Sequence, residues 1–335
     1  MAAYTTIDNP ELYFQTKLYT GNGSTNAITL DGDENMQADM VWIKDRGRSG
    51  YNHVLNDSVR GVTKYIRPNL DSDEDTYTDA ITAFDSDGFT LGADSSNGEH
   101  NVSSQTYVAW CWKESVTAGF DIVTYTGSGS PQNISHSLSA VPEFFPTKRR
   151  SGTNQWRTYH VGASDGATDY ANLDTTDAFS DSATIFNDTM PTSSVYTVST
   201  DSGINGSSET YVTYLFTGKQ GYSKFSKYTG NGNADGPFIY TGFRPAWLLL
   251  KKSSASGNTW QIFDNKRDTG NPLDNTLETT NSAEATGTDR LDFTAQGFKI
   301  RTSGSAQNAS GATFVYAAFA EQPFVNSSGV PANAR

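Results

Sequence analysis

Gly162-Ala163-Ser164-Asp165-Gly166 has the Gly-x-Ser-x-Gly spacing that lifts a serine hydroxyl out of a tight turn for nucleophilic attack, and His160 stands four residues before that serine. Such chemistry needs a parallel strand running into a helix. The segment instead aligns with Asp57-Ser58-Val59-Arg60-Gly61 and Lys266-Arg267-Asp268-Thr269-Gly270, loops of a β-unit, so no nucleophile is expected. Asp71, Asp73, Asp75 and Asp79 have the spacing that opens a calcium loop, but Thr76 stands where the loop needs glycine and Thr82 where it needs glutamate. A solvated acidic turn is expected there. His53, His100, His136 and His160 lack ligand spacing, and the single cysteine cannot complete a zinc site. Paired carboxylates for glycoside hydrolysis would meet only in three dimensions, and no Glu-x-Asp or Glu-x-x-Glu lies on a strand pattern. The expectation is a non-enzyme with no catalytic residue, no metal and no cofactor.

Binding is a different matter. Trp156 and Trp260 are candidate ligand-binding residues, because a pyranose face lies well on an indole. Burial in a core is the competing reading, and His53 occupies the matching position with a polar ring.

Those matching positions exist because the chain is written three times. Tyr19-Thr20-Gly21-Asn22-Gly23 returns as Tyr125-Thr126-Gly127-Ser128-Gly129 and as Tyr228-Thr229-Gly230-Asn231-Gly232. The closing strands Thr106-Tyr107-Val108-Ala109-Trp110, Thr210-Tyr211-Val212-Thr213-Tyr214 and Thr313-Phe314-Val315-Tyr316-Ala317 march in step with them, as do apolar runs ending in Lys44, Lys148 and Lys251. Solenoid units are about 20 to 50 residues long, whereas units of about 100 residues fold as domains. Within the first unit, short alternating segments bounded by Gly or Asp fall near 16–19, 27–30, 40–44, 52–56, 64–66, 81–84, 89–91 and 107–112. The fold class expected is all-β: three tandem jelly-roll-type β-sandwich domains with a short N-terminal arm. Their bounds are 1–14 for the arm, 15–118, 119–220 and 221–324 for the repeats, and 325–335 for a tail. Each repeat is expected to close its own core. Both faces of each closing strand are largely apolar, as in a central strand covered on both sides. Pro146 implies an edge or a bulge in its strand.

In the arm, Asn9 suits an N-cap and Pro10 the first helical position, while Leu12, Tyr13 and Phe14 form an apolar cluster expected to dock on a partner. A net charge of −13 argues against nucleic acid, since phosphate neutralisation needs clustered cations; Lys148-Arg149-Arg150 reads as a solvated turn. No run approaches a membrane span, so no membrane insertion is expected. The opening residues have no signal-peptide pattern, which points to folding in a cytoplasm.

Tyr-Thr-Gly-x-Gly, the apolar run from Pro245 to Lys251 and the closing Thr-Tyr-Val-Ala-Trp-x-Trp resemble a repeated domain of virion proteins from marine bacteriophages, of cyanophage and pelagiphage type, which is itself similar to concanavalin-A-like jelly-roll lectins. The likeness covers about residues 1 to 324. It implies a virion localisation, a tail-fibre-like or appendage role in host attachment, and a host surface glycan as ligand. It also implies other virion proteins as partners through the arm, and a homo-oligomer. A capsid or tail decoration protein of purely structural role is the alternative, and a glycan-degrading enzyme the least favoured. The chain departs from podophage tail fibres in lacking a tail-docking domain and a heptad shaft.

Overall fold

A computed structural model describes residues 4–163, 169–280 and 290–331, and the chain is nearly all β. Each repeat contributes an inner antiparallel sheet and a smaller outer one. In the first repeat the inner order is Phe14–Thr20, Thr106–Trp112, Met40–Asp45, His53–Asp57; the other two repeat it, with Thr210–Phe216 and Thr313–Pro323 as the matching second strands. The outer sheets pair Asn26–Ile28 with Gly88–Leu91, Gln132–Ser135 with Val195–Val198, and Phe238–Tyr240 with Gly297–Ile300. Lys44, Lys148 and Lys251 stand opposite Val108, Val212 and Val315, so the three lysines share one structural position. Among the described residues no helix is long and apolar enough to cross a membrane.

The closing strands explain why two faces had to be apolar. Tyr107, Ala109 and Cys111 point into a core made only of first-repeat residues, and Leu215 and Phe314 into the corresponding cores of the second and third. Val108, Trp110 and Trp112 point the other way, into one cluster that also takes Val212, Tyr214, Phe216, Val315, Ala317 and Phe319. The three inner sheets therefore pack on one another around a common core. This corrects the expectation that each repeat closes its own core: the second apolar face of every repeat is covered by the other two.

Polar clasps reinforce the junctions. The acidic segment read as a solvated turn runs from the first repeat onto the second: Glu74 N donates to Arg150 O, Asn154 N to Asp71 O, and the Glu74 carboxylate pairs with Arg60 and Arg150. The basic run is its counterpart, with Lys148 fully buried and donating to Asp71 O and Asn154 O. Burial pushes the Lys148 ammonium down to about 8. The next junction repeats the device, Gly257 N donating to Thr176 O and Phe179 N to Ser253 O.

Tyr-Thr-Gly-x-Gly proves to be a fixed turn. Tyr19, Tyr125 and Tyr228 donate to the carbonyls of His100, Ile204 and Gln307. A Cβ on Gly21, Gly127 or Gly230 would lie 2.2, 2.2 or 2.3 Å from a backbone oxygen, and Gly23, Gly129 and Gly232 have φ of 68°, 75° and 69°. Buried Asn101, Asn205 and Asn308 accept from the next backbone N–H of each turn, of Asn22, Ser128 and Asn231.

One local expectation needs amendment and another holds. Phe144–Arg149 is an interior strand with an unbroken register, not an edge or a bulge; the ladder towards Thr210–Phe216 simply omits Phe145 and Pro146, where proline has no N–H to give. The arm does form a turn of 3-10 helix, Pro10–Leu12, with the Asn9 side chain accepting from Glu11 N.

Candidate ligand-binding groove on the third repeat

Trp156 and Trp260 are both fully buried. Trp156 Nε1 donates to Arg67 O at 2.9 Å and Trp260 Nε1 to Asn172 O at 3.0 Å, each bond reaching the preceding repeat. His53, at the matching place, accepts from Trp42 Nε1 on Nδ1, so its Nε2–H is the donor to Glu278 O at 3.2 Å in the third repeat. The three positions thus link the repeats in a closed cycle: first to third, second to first, third to second. Neither tryptophan offers a face to a sugar, which overturns their assignment as ligand-binding residues.

Four residues further on, Asp57 accepts from Tyr214 Oη at 2.6 Å and Asp264 from Trp110 Nε1 at 3.0 Å, and each carboxylate pairs with a buried arginine, Arg60 or Arg267. His160 takes Gly162 N on Nδ1 and gives Nε2–H to Tyr316 O at 3.0 Å. Burial holds its imidazole down at about 4, so it is neutral. Both its nitrogens are occupied by this junction, which leaves none to activate a nucleophile. Ser164, Asp165 and Gly166 of the elbow-like motif lie outside the described residues.

The arm is not a free docking device either. Phe14 is 2% exposed, with its ring centroid 4.9 Å from Trp112 and 5.4 Å from Phe319. Tyr13 is half-buried and packs edge-on to Tyr222, while Leu12 is exposed. Ile7 joins the shared core, Thr5 Oγ1 donates to Gln220 O, and Tyr4 Oη donates to Gly242 O. Tyr13 and Phe14 of the cluster therefore staple the first repeat to the third within their own chain, and Leu12 is left facing solvent.

What remains open to a ligand lies beside that staple. A groove of about 370 Å³ runs between the second and third repeats, lined by Tyr4, Glu143, Gly218 to Gln220, Ser223 to Phe225 and Tyr240 to Gly242. Tyr240 is 47% exposed and Phe238, two residues away on the same face of the strand, 49%. Successive same-face positions on a strand are about 6.8 Å apart, so the two side chains make a solvent-facing ledge that begins at the groove with Tyr240 and extends beyond it to Phe238. Tyr4 Oη lies 3.2 Å from Tyr240 Oη, and Lys224 Nζ donates to Tyr240 O at 2.8 Å while standing 5.4 Å from the centre of its ring. Glu143 accepts from Gly218 N, and burial raises its carboxyl above the ordinary range.

Comparison between repeats shows that the fold does not require these residues. Ile28, Ile134 and Ile239 are equivalent, buried, and paired with Phe89, Tyr196 and Phe298. Their neighbours are Ala27 and Thr29 in the first repeat, Asn133 and Ser135 in the second, and Phe238 and Tyr240 in the third. The aromatic pair is thus peculiar to one copy, on the solvent side, where packing asks for nothing. That signal was present in the repeat alignment. It lies in a difference at one position between the repeats and not in a residue type such as tryptophan.

Other cavities offer less. The void in the shared core, between Trp112, Phe144, Trp247 and Phe319, is about 20 Å³ and apolar, too small for more than a water. An open recess of about 660 Å³ near Asp235 and Asp292 carries no aromatic, and those carboxylates already pair with Lys299 and Arg301.

A family model for a domain of unknown function, DUF7483, matches residues 9–323. No curated protein matches the chain.

Proposed function

The chain belongs to the DUF7483 family over residues 9–323, and we propose that it is a phage virion surface protein that binds host glycan in the groove between its second and third repeats. The observation that carries the binding is the ledge of Phe238 and Tyr240, two exposed aromatics beside polar groups, in one copy of three. Sugars are held by such surfaces, an apolar ring face lying on an aromatic while hydroxyls meet charged and backbone groups at the rim. The likeness of the repeated motifs to marine phage virion proteins supports the placement on a particle. Attachment to other virion proteins falls to exposed surface, since Tyr13 and Phe14 of the arm are used inside the chain and Leu12 alone of the cluster faces solvent.

A glycan array probed with the intact protein tests the binding, and immunogold labelling of purified particles tests the location. Expected are a restricted set of bound glycans, lost on Tyr240→Ser, and label on the particle surface. Equal signals for the intact protein and the variant would remove the groove from the reading. Absence of label would remove the virion.

The second reading, a decoration protein, is favoured by the shared core. A chain that commits three inner sheets to one another is a rigid plug.

A further inference from the structure

We infer that the groove selects anionic glycans, with the Lys224 ammonium as the charge that recognises a sugar carboxylate or sulfate and Tyr240 as the ring on which that sugar lies. The inference rests on the glycan reading above and adds the ligand class. Its basis is a second comparison across the repeats, independent of the aromatic one. Gln15, Asp121 and Lys224 are equivalent, facing Cys111, Leu215 and Ala318 across their ladders. In each repeat this side chain ties its strand to the segment that follows or ends the outer edge strand. Gln15 Oε1 accepts from Gly32 N, Asp121 Oδ2 accepts from Ser137 N, and Lys224 Nζ donates to Tyr240 O. A neutral amide, an anion and a cation thus do the same structural work, so the fold does not demand the cation.

The positive charge is set where a ligand would meet it. Lys224 is half-buried, its Nζ spends one hydrogen bond on Tyr240 O, and two further protons remain for an acceptor. Lys219 lines the same groove, and among the described residues Glu143, whose charge acts on Lys224, is its one carboxylate. In a chain of net charge −13, Lys219 from the end of the second repeat and Lys224 from the third, beside the exposed Tyr240, make a local site for an anion. An ammonium alongside a ring face suits a sugar whose acidic substituent projects from the ring edge.

The test uses the full chain and three defined probes, alginate oligosaccharides (carboxylate), carrageenan oligosaccharides (sulfate) and laminarin oligosaccharides (neutral), by isothermal titration at two salt concentrations. Lys224→Gln installs the residue that the first repeat already carries at this place, and Tyr240→Ser the residue of the second, so both should fold. Expected is tighter binding of one of the acidic probes than of laminarin, weakened by salt, reduced about ten-fold or more by Lys224→Gln and abolished by Tyr240→Ser. The acidic probe that binds more tightly names the anion. Laminarin bound as tightly as both acidic probes, with Lys224→Gln silent, would overturn the charge assignment and leave the glycan reading standing. No binding of any probe would overturn both.

Discussion

At Trp260 a single side chain shows what the repeat position is for. Its ring is fully buried and its one polar atom binds Asn172 O in the neighbouring repeat. Trp260→Phe keeps most of the packing and orphans that carbonyl, which should cost about 1–3 kcal/mol in urea denaturation without changing ligand binding in the groove. Ionisable residues at the junctions should write themselves into the pH profile with opposite signs. His160, held down at about 4 by burial, binds fewer protons folded than unfolded; the stability it contributes is complete above about pH 6.5 and is lost as the pH falls towards 4. Glu114, in contrast, is pushed up to about 7 by burial and by the Asp121 side chain beside it. Its contribution is complete below about pH 4.5 and is lost as the pH rises through 7. Urea midpoints measured from pH 4 to 8 should therefore lose their decline on the upper side in Glu114→Gln, and their decline on the acid side should be shallower in His160→Gln. Unchanged slopes would mean that neither group is buried as described.

At the scale of the element, the turn built by Tyr-Thr-Gly-x-Gly is the most tightly specified piece of the chain. Gly230→Ala would drive a Cβ to 2.3 Å from Ala309 O, and the turn holds it there because Asn308 ties Asn231, Asn233 and Thr302 together. The expected loss is about 1–3 kcal/mol or more, visible as a lowered midpoint and as faster amide exchange at residues 228–233. Gly257→Ala should cost less: φ there is 92° but nothing lies within 4 Å of the added carbon, so only the backbone preference is lost.

The whole molecule should unfold as one body. Val108, Tyr214 and Phe319 come from three repeats and sit in one cluster, so removing any inner sheet exposes the other two. Calorimetry is expected to give a single transition with calorimetric and van't Hoff enthalpies in agreement; three resolved transitions would restore the picture of an array. A fragment of residues 15–118 should fail to remain a folded monomer, since the face of Val108, Trp110 and Trp112 would meet water. Phe14→Ala should destabilise the whole chain by about 3–5 kcal/mol, because its side chain lies against both Trp112 and Phe319.

The three copies, their strands and their turns were legible in the sequence, because alternation of apolar residues and the backbone needs of glycine are properties of short segments. So were the cap at Asn9 and the equivalence of Lys44, Lys148 and Lys251. The two apolar faces of the closing strand were legible too, but not what covers them, since period-two patterning says that a face is buried and is silent on which distant segment buries it. That one unknown decided the fate of Trp156, Trp260 and Phe14, which became parts of a shared core instead of platforms or hooks. The groove lay between these cases. Phe238, Tyr240 and Lys224 differ from their counterparts in the bare alignment, yet only the folded chain shows the two aromatics facing solvent and Lys224 brought against Tyr240. Exposure and proximity arise from the packing of remote strands, and no local spacing encodes them.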